Sequence, residues 1–497
     1  MTSQQDEPTA SGRDIPVAAA VIPLLALIVF LSVVLLVLRS DDFEGSGHLP
    51  LLGAAIVAAL IGRVYGWGWH PVERGIIEAI NRAMPAILIL LVIGMLIGTW
   101  LAAGVVPALI YWGLQLLSPE WFLPTVCAVC SIVSLVSGSS WTTAGTVGLA
   151  MIGIGSALGV DPAKTAGAVV SGAYFGDKLS PMSDTTNLAP AVAGTDLFTH
   201  IGHQLRTTGP AWIVAMLVYA VMDSGAPPDA QAQGVGIAAT LAQQFDPGAL
   251  QLLPPLCILV LVLRRMPALP TLVAGMLLGA VVALIEGTSI GSVLTSMMSG
   301  YKSVTGDAAL DALLTRGGMS SMANTVFLVL CAMTFGGVME ATGMLQSLAA
   351  RLLAAAKSTG SLIATTVLTS IGINIVAADQ YIAIVVPGRM FATAYKKRGL
   401  HPKNLSRAIE DGGTITSPLV PWNTCGAYIA GALGVATGEY FIYAVLNLVN
   451  PLISIVFGFL GWSVAKLPPE TGHDDGHSDG HSDGHSDGGS APDPKVA

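Results

Sequence analysis

The sequence predicts an all-α polytopic membrane protein, an inverted repeat of two five-span halves, each holding a re-entrant hairpin and a broken helix. Three observations predict this. Apolar runs of about the length of a bilayer span recur along the chain, motifs recur at a constant offset between its halves, and polar strings interrupt the apolar runs at matching places.

Of the 497 residues, 53% are apolar and 11% charged, and the mean hydropathy is +0.69, which is too greasy for a soluble domain. A helix needs roughly 20 mostly apolar residues to cross a hydrocarbon core of about 30 Å. The first run, Pro16 to Leu38, is too long for a signal-peptide core, lacks a basic start and has no convincing cleavage site, so it reads as a retained span. The net charge of −9 sits partly in the tails and says little about partners. Cys127, Cys130, Cys257, Cys331 and Cys425 all lie in apolar segments and read as small buried hydrophobes. No nucleic-acid patch, phosphate loop, catalytic constellation or cofactor motif stands out, so neither an enzyme nor a cofactor is expected.

In the first half (16–223) the spans fall near 17–39, 50–66, 85–104, 163–194 (broken) and 206–223. In the second (249–463) they fall near 250–264, 267–286, 321–342, 403–434 (broken) and 440–463. Segments 121–158 and 360–396 are paired apolar arms with polar tips at Ser137–Thr143 and Asn374–Tyr381, the pattern of a re-entrant hairpin. Residues 70–84 and 343–357 look like interfacial amphipathic arms. A short tail (1–15) precedes the first half, an external Gly/Pro/Gln/Ala linker (224–248) joins the halves, and a disordered tail (464–497) follows. That tail places His473, His477, His481 and His485 among Gly, Ser and Asp. It reads as solubilising, with divalent-metal capture as the speculative alternative.

The duplication is explicit. Val136-Ser137-Gly138-Ser139-Ser140-Trp141 matches Val376-Ala377-Ala378-Asp379-Gln380-Tyr381, and Gly159-Val160-Asp161-Pro162 matches Gly399-Leu400-His401-Pro402. Ser180-Pro181 meets Ser417-Pro418. An odd number of crossings per half orients the halves oppositely. Charge agrees: Ala394-Tyr395-Lys396-Lys397-Arg398-Gly399 is basic and its equivalent Ser156–Gly159 is not, so the former lies inside. Both termini are then cytoplasmic, and the architecture is that of a secondary transporter.

Charged and polar groups at bilayer depth cost free energy and mark function. The run Ser171–Asn187 carries Asp177, Lys178, Asp184, Thr185, Thr186 and Asn187, interrupted by Gly176 and Pro181. Such a break is tolerable only where the freed backbone lines a cavity. The first tip adds Ser137, Ser139, Ser140, Thr142 and Thr143; the second adds Asn374 and Asp379; the second broken helix adds Glu410, Asp411, Thr414, Thr416, Asn423 and Thr424. These are oxygen donors of the kind a hard cation such as Na+ prefers. Asp177, Asp379 and Asp411 lead, because each sits beside a break or tip and a buried carboxylate can trade a proton for a cation. Lys178, Arg389 and Arg407 are expected to balance charge, and Glu340 to be peripheral. The competing readings are a structural Asp177–Lys178 pair, and hydroxyls that only bond their own helix.

Gly176-Asp177-Lys178-Leu179-Ser180-Pro181-Met182-Ser183-Asp184-Thr185-Thr186-Asn187, with Ala377–Tyr381 and Ser417–Thr424, resembles the motifs of the NhaC family of sodium/proton antiporters over about 50–463. The resemblance implies Na+/H+ exchange in a cell inner membrane and elevator-type alternating access; Li+ is a further candidate ion and a homodimer a candidate assembly. Some similar relatives exchange malate and sodium for lactate and protons, so a Na+-coupled organic-acid exchanger is the alternative, with Lys178 as a carboxylate partner. An intramembrane aspartyl protease is the remote one, since Phe175-Gly176-Asp177 lacks that family's second glycine. No nucleic acid is expected as a partner.

Overall fold

The computed structural model describes residues 12–34, 47–222, 230–245 and 247–467. The first-half helices are α1 (Val17–Ser32), α2 (His48–Val64), α3 (Trp69–Ala102), α4 (Val105–Leu116), α5 (Phe122–Ser137), α6 (140–157), α7 (Pro162–Leu179), α8 (Asp184–Ala193) and α9 (Leu197–Val221). There follow α10 (Ala230–Phe245), α11 (Leu253–Leu263), α12 (Ala268–Ile285), α13 (Ile290–Ser299) and α14 (Ala308–Leu314). The longer helices that remain are α15 (Ala323–Ala341), α16 (Met344–Ala354), α17 (Thr359–Ala377), α18 (Gln380–Lys397), α19 (Pro402–Gly412), α20 (Thr424–Leu433) and α21 (Val445–Leu460), with one short turn of helix at Thr437–Tyr440. The described residues contain no strand, only the isolated bridges Tyr301–Arg316 and Leu400–Lys466. Among the described residues, five helices are long and apolar enough to cross a membrane, or up to seven if each bent pair is one span. The protein is a multi-pass helical membrane protein.

Three elements differ from the sequence reading. The arm 70–84 is not separate: α3 runs unbroken for 34 residues through Pro85, about 51 Å at 1.5 Å per residue, more than a bilayer core needs. A proline within a membrane helix is tolerated where neighbours re-satisfy the freed carbonyl. Part of the 224–248 linker is α10, whose Ala, Gln and Leu are strong helix formers and which packs on α4. The tract 287–318, unassigned from sequence, holds α13 and α14 and packs on α3, where the Gly318 N–H donates to Gly94 O at 2.7 Å.

The expected breaks are present. Gly138 (φ 67°) ends α5 and Ser139 caps α6; Ala378 (φ 55°) ends α17 and Asp379 caps α18. A left-handed alanine is strained, and such strain concentrates at functional sites. Here the Ala378 carbonyl accepts the Thr424 N–H at 3.0 Å, so the break is tied to the start of α20. Ser180–Ser183 separates α7 from α8, and residues 413–423 separate α19 from α20. α5 lies along α7, and α17 packs on α19 and α21; α3 packs instead with α12, α13 and α15. The first contact is close because Gly172 and Gly176 face α5, where a Cβ would stand 2.3 Å from Cys127 O and from Leu135 N.

Candidate ion site

The four breaks meet at one cavity of about 570 Å³. Its walls include Ser139 and Ser140 at the start of α6, Ser183, Asp184 and Thr185 at the start of α8, Asp379 at the start of α18, and Thr424 at the start of α20. Asp177 enters from the end of α7, and Arg82 and Arg265 from α3 and the α11–α12 turn.

Each helix start is capped by its own side chain, as four orphan N–H groups require. Ser139 Oγ accepts the Thr142 N–H at 3.1 Å, Ser183 Oγ that of Thr186 at 3.4 Å, Asp379 Oδ1 that of Ile382 at 3.0 Å, and Asn423 Oδ1 that of Cys425 at 3.0 Å. Asp177 accepts the Ser140 hydroxyl at 2.6 Å, which joins the first hairpin tip to the first broken helix. Trp141 stacks on Tyr428 at 4.1 Å, and the Tyr428 hydroxyl donates to Trp141 O at 2.6 Å, tying the same tip to α20.

Asp177 and Asp379 thus share the cavity, with Asp184 exposed on its wall. Asp411 does not line it. Asp411 is fully buried and forms an ion pair with Lys178, completed by donors from Thr207 Oγ1 at 3.1 Å and Asn450 Nδ2 at 2.8 Å. Consecutive residues on a helix point about 100° apart, so Asp177 faces the cavity while Lys178 faces α19. Lys178 therefore balances charge at Asp411 and is no carboxylate partner within the cavity; the cations that line the cavity are Arg82 and Arg265. Arg407 is buried one turn before Asp411, where it donates to Ser463 O and Oγ at 3.0 and 2.9 Å. Arg389 is exposed on α18 and does not line the cavity.

Several predicted oxygen donors bond locally. Thr142 donates to Ser139 Oγ at 3.1 Å and Thr143 to Ser139 O at 3.0 Å. Asn187 is exposed and donates to Pro181 O and Ser183 O at 2.9 and 2.7 Å, which shapes the break. Asn374 and Asn423 bond each other, with Asn423 Nδ2 at 3.1 Å from Asn374 Oδ1. Thr186 points away from the cavity: its hydroxyl stands 3.0 Å from Asp177 O and 3.3 Å from Glu410 Oε1. Glu340 forms an ion pair with Arg82 near the cavity. His473, His477, His481 and His485 lie outside the described residues.

Sequence reasoning named Glu410 and Asp411 but missed their partners on α9, behind the cavity. Glu410 is fully buried against His200 and Gln204 of α9, and Thr207 of the same helix reaches Asp411. The signal was present: His200, Gln204 and Thr207 recur every three to four residues, one polar stripe on one helix face. Placing the fifth span at 206–223 left its first two turns out.

Residues 172–462 match the model of the Na+/H+ antiporter family. The chain belongs to this family. It is 39% identical over 421 residues to the Na(+)/H(+) antiporter NhaC of Alkalihalophilus pseudofirmus, covering 84% of this chain and 91% of that one. It is also 36% identical over 463 residues to the arginine/ornithine antiporter ArcD of Halobacterium salinarum, covering 92% and 94%. A malate-2H(+)/Na(+)-lactate antiporter of Bacillus subtilis is 34% identical over 418 residues, covering 83% and 89%. The resemblance to the NhaC family holds, and these relatives are transporters.

Proposed function

We propose that the protein exchanges Na+ for H+ across the cell inner membrane, with Asp177 and Asp379 as the groups for which the two ions compete. The observation that carries this reading is that both carboxylates line one cavity bordered by all four helix breaks. Ser139, Ser140, Thr185 and Thr424 supply further oxygens there, and unwound carbonyls at such breaks suit an alkali cation. A proton on a carboxylate and Na+ beside it are alternatives, so loading one ion expels the other.

The inverted repeat belongs to the same proposal. It is supported by backbone conformations recurring at the sequence offset: left-handed Gly159 and Gly399, Gly194 and Gly434, and extended caps Ser183 (φ −72°, ψ 136°) and Asn423 (φ −68°, ψ 146°). On this topology both termini are cytoplasmic. Alternating access by an elevator movement would carry the body in which α5 packs with α7, and α17 with α19 and α21, along its contacts with the α3, α12 and α15 group, where α17 meets α15 and α20 meets α3. A homodimer is compatible with this arrangement.

A second reading, Na+-coupled organic-acid exchange, is favoured by the cavity's size. Its volume lies in the range that takes small organic molecules, and its helix N-termini and its lining residues Arg82 and Arg265 suit a carboxylate. The test is reconstitution in proteoliposomes with an internal pH dye, adding Na+, Li+, K+, malate or lactate separately. A pH change with Na+ alone, abolished in a folded Asp177→Asn protein, is expected. A change that requires malate or lactate would transfer the assignment to the second reading, and none with any solute would overturn both.

A further inference from the structure

Behind the cavity lies a fully buried pair that the exchange site does not use. Glu410 Oε2 stands 2.9 Å from His200 Nε2, and neither side chain has any exposure. Gln204 donates to the same oxygen, and the Thr186 hydroxyl lies 3.3 Å from Oε1. On the far side, His200 Nδ1 is 2.8 Å from Ser406 Oγ, and Ser406 is 3.1 Å from Lys403 O.

We propose that His200 and Glu410 together hold a second exchangeable proton, coupled to the cation cavity through Thr186. Hydrogen-bond accounting supports two proton counts without backbone movement. In the loaded form Ser406 donates to Lys403 O, the Nδ1–H of His200 donates to Ser406, and the extra proton lies between Nε2 and Oε2. In the unloaded form the Ser406 hydroxyl turns to donate to Nδ1, and the Nε2–H donates to the Glu410 carboxylate. Every polar atom named keeps a partner in both forms, and one proton is the only difference.

Position gives the pair its coupling and its exit. The Thr186 hydroxyl also lies 3.0 Å from the Asp177 carbonyl, so Glu410 sits one residue behind the cavity carboxylate. A cation arriving at Asp177 raises the local positive potential and favours loss of the proton behind it. His200 is one turn inside α9 from its exposed cap Asp196, and Lys403 is in the first turn of α19, so the Ser406 end points to the protein surface. The charged groups around the pair are Asp177 and Lys178 on α7, His203 and Arg206 on α9, and Lys403, Arg407 and Asp411 on α19. α8 adds the exposed Asp184, and α18 adds Arg389, Lys396 and Lys397. α5, α17 and α21 contribute no charged side chain.

This inference rests on the exchange reading, and its test separates the two. The apparent Na+ constant of the purified protein is measured from Na+-dependent melting shifts across the neutral pH range, which requires binding but no turnover. Each competing proton contributes about a tenfold change in that constant per pH unit. The wild type is expected to be steeper, by about one such step, than a variant that cannot hold the pair's proton. Glu410→Gln and His200→Gln, which keep shape and hydrogen bonding but cannot hold the proton, are each expected to lose about one step while retaining the Na+-induced shift. A wild-type steepness in either folded variant would overturn the second proton site. Absence of Na+/H+ exchange by the wild type in proteoliposomes would instead fall on the exchange reading.

Discussion

The Lys178–Asp411 pair allows a quantitative test, because both side chains are fully buried and their partners are known. In Lys178→Met the Asp411 carboxylate keeps only Thr207 and Asn450 as direct donors. In Asp411→Asn the ammonium is left without a counter-charge. Removing one partner of a buried pair costs about 3–5 kcal/mol, since the remaining charge is neither hydrated nor paired. In the double variant no net charge is left, and the Asn side chain can still accept from Thr207 or Asn450. Its cost should fall to about 1–2 kcal/mol, the scale of an imperfect hydrogen-bond exchange. The cycle should therefore show a favourable coupling of about 4 kcal/mol or more, far beyond the additivity error of independent sites. Reversible unfolding in mixed micelles with increasing denaturing detergent measures all four proteins. Single variants that each cost less than about 1 kcal/mol, or a double variant equal to their sum, would refute the account of a dry, mutually neutralising pair.

Asp379→Asn should raise the apparent Na+ constant in the proteoliposome assay, because Asp379 lines the cavity; an unchanged constant would confine the site to the first half. Gly176→Ala should destabilise by about 1–3 kcal/mol or more, since its Cβ would meet Leu135 N at 2.3 Å and Ser131 O at 2.4 Å. Gly202→Ala, with nothing within 4 Å, is the control in the same melting experiment. Cysteines placed at 159 and 399 should react with an impermeant thiol reagent from opposite sides; labelling from one side would defeat the inverted topology. Deletion after Pro469 should leave exchange kinetics unchanged in metal-free buffer, and a membrane-inserted but inactive truncation would contradict that.

Most apolar helices and the four breaks were legible because membrane chains write them in composition. Apolar length announces a span, and Gly138, Pro181 or Asp379 inside an apolar run announces a place where the helix must stop and its backbone find other partners. Family membership was legible for the same reason, through the long polar string from Gly176 to Asn187. Local sequence also made Ser139, Ser183, Asp379 and Asn423 natural caps.

Which acids share a cavity was decided by tertiary structure alone. Asp177 and Lys178 are neighbours in sequence, yet the turn of α7 sends one to Ser140 and the other to Asp411 on a helix more than two hundred residues away. Glu410 and Asp411 divide in the same way, toward His200 and toward Lys178. Nothing in composition or spacing fixes the rotation of a helix buried on every side, because no polar face marks solvent. That rotation is set by packing, here by Gly172 and Gly176 drawing α7 against α5. It turned three equivalent-looking carboxylates into two that face the cavity and one that is held by a lysine.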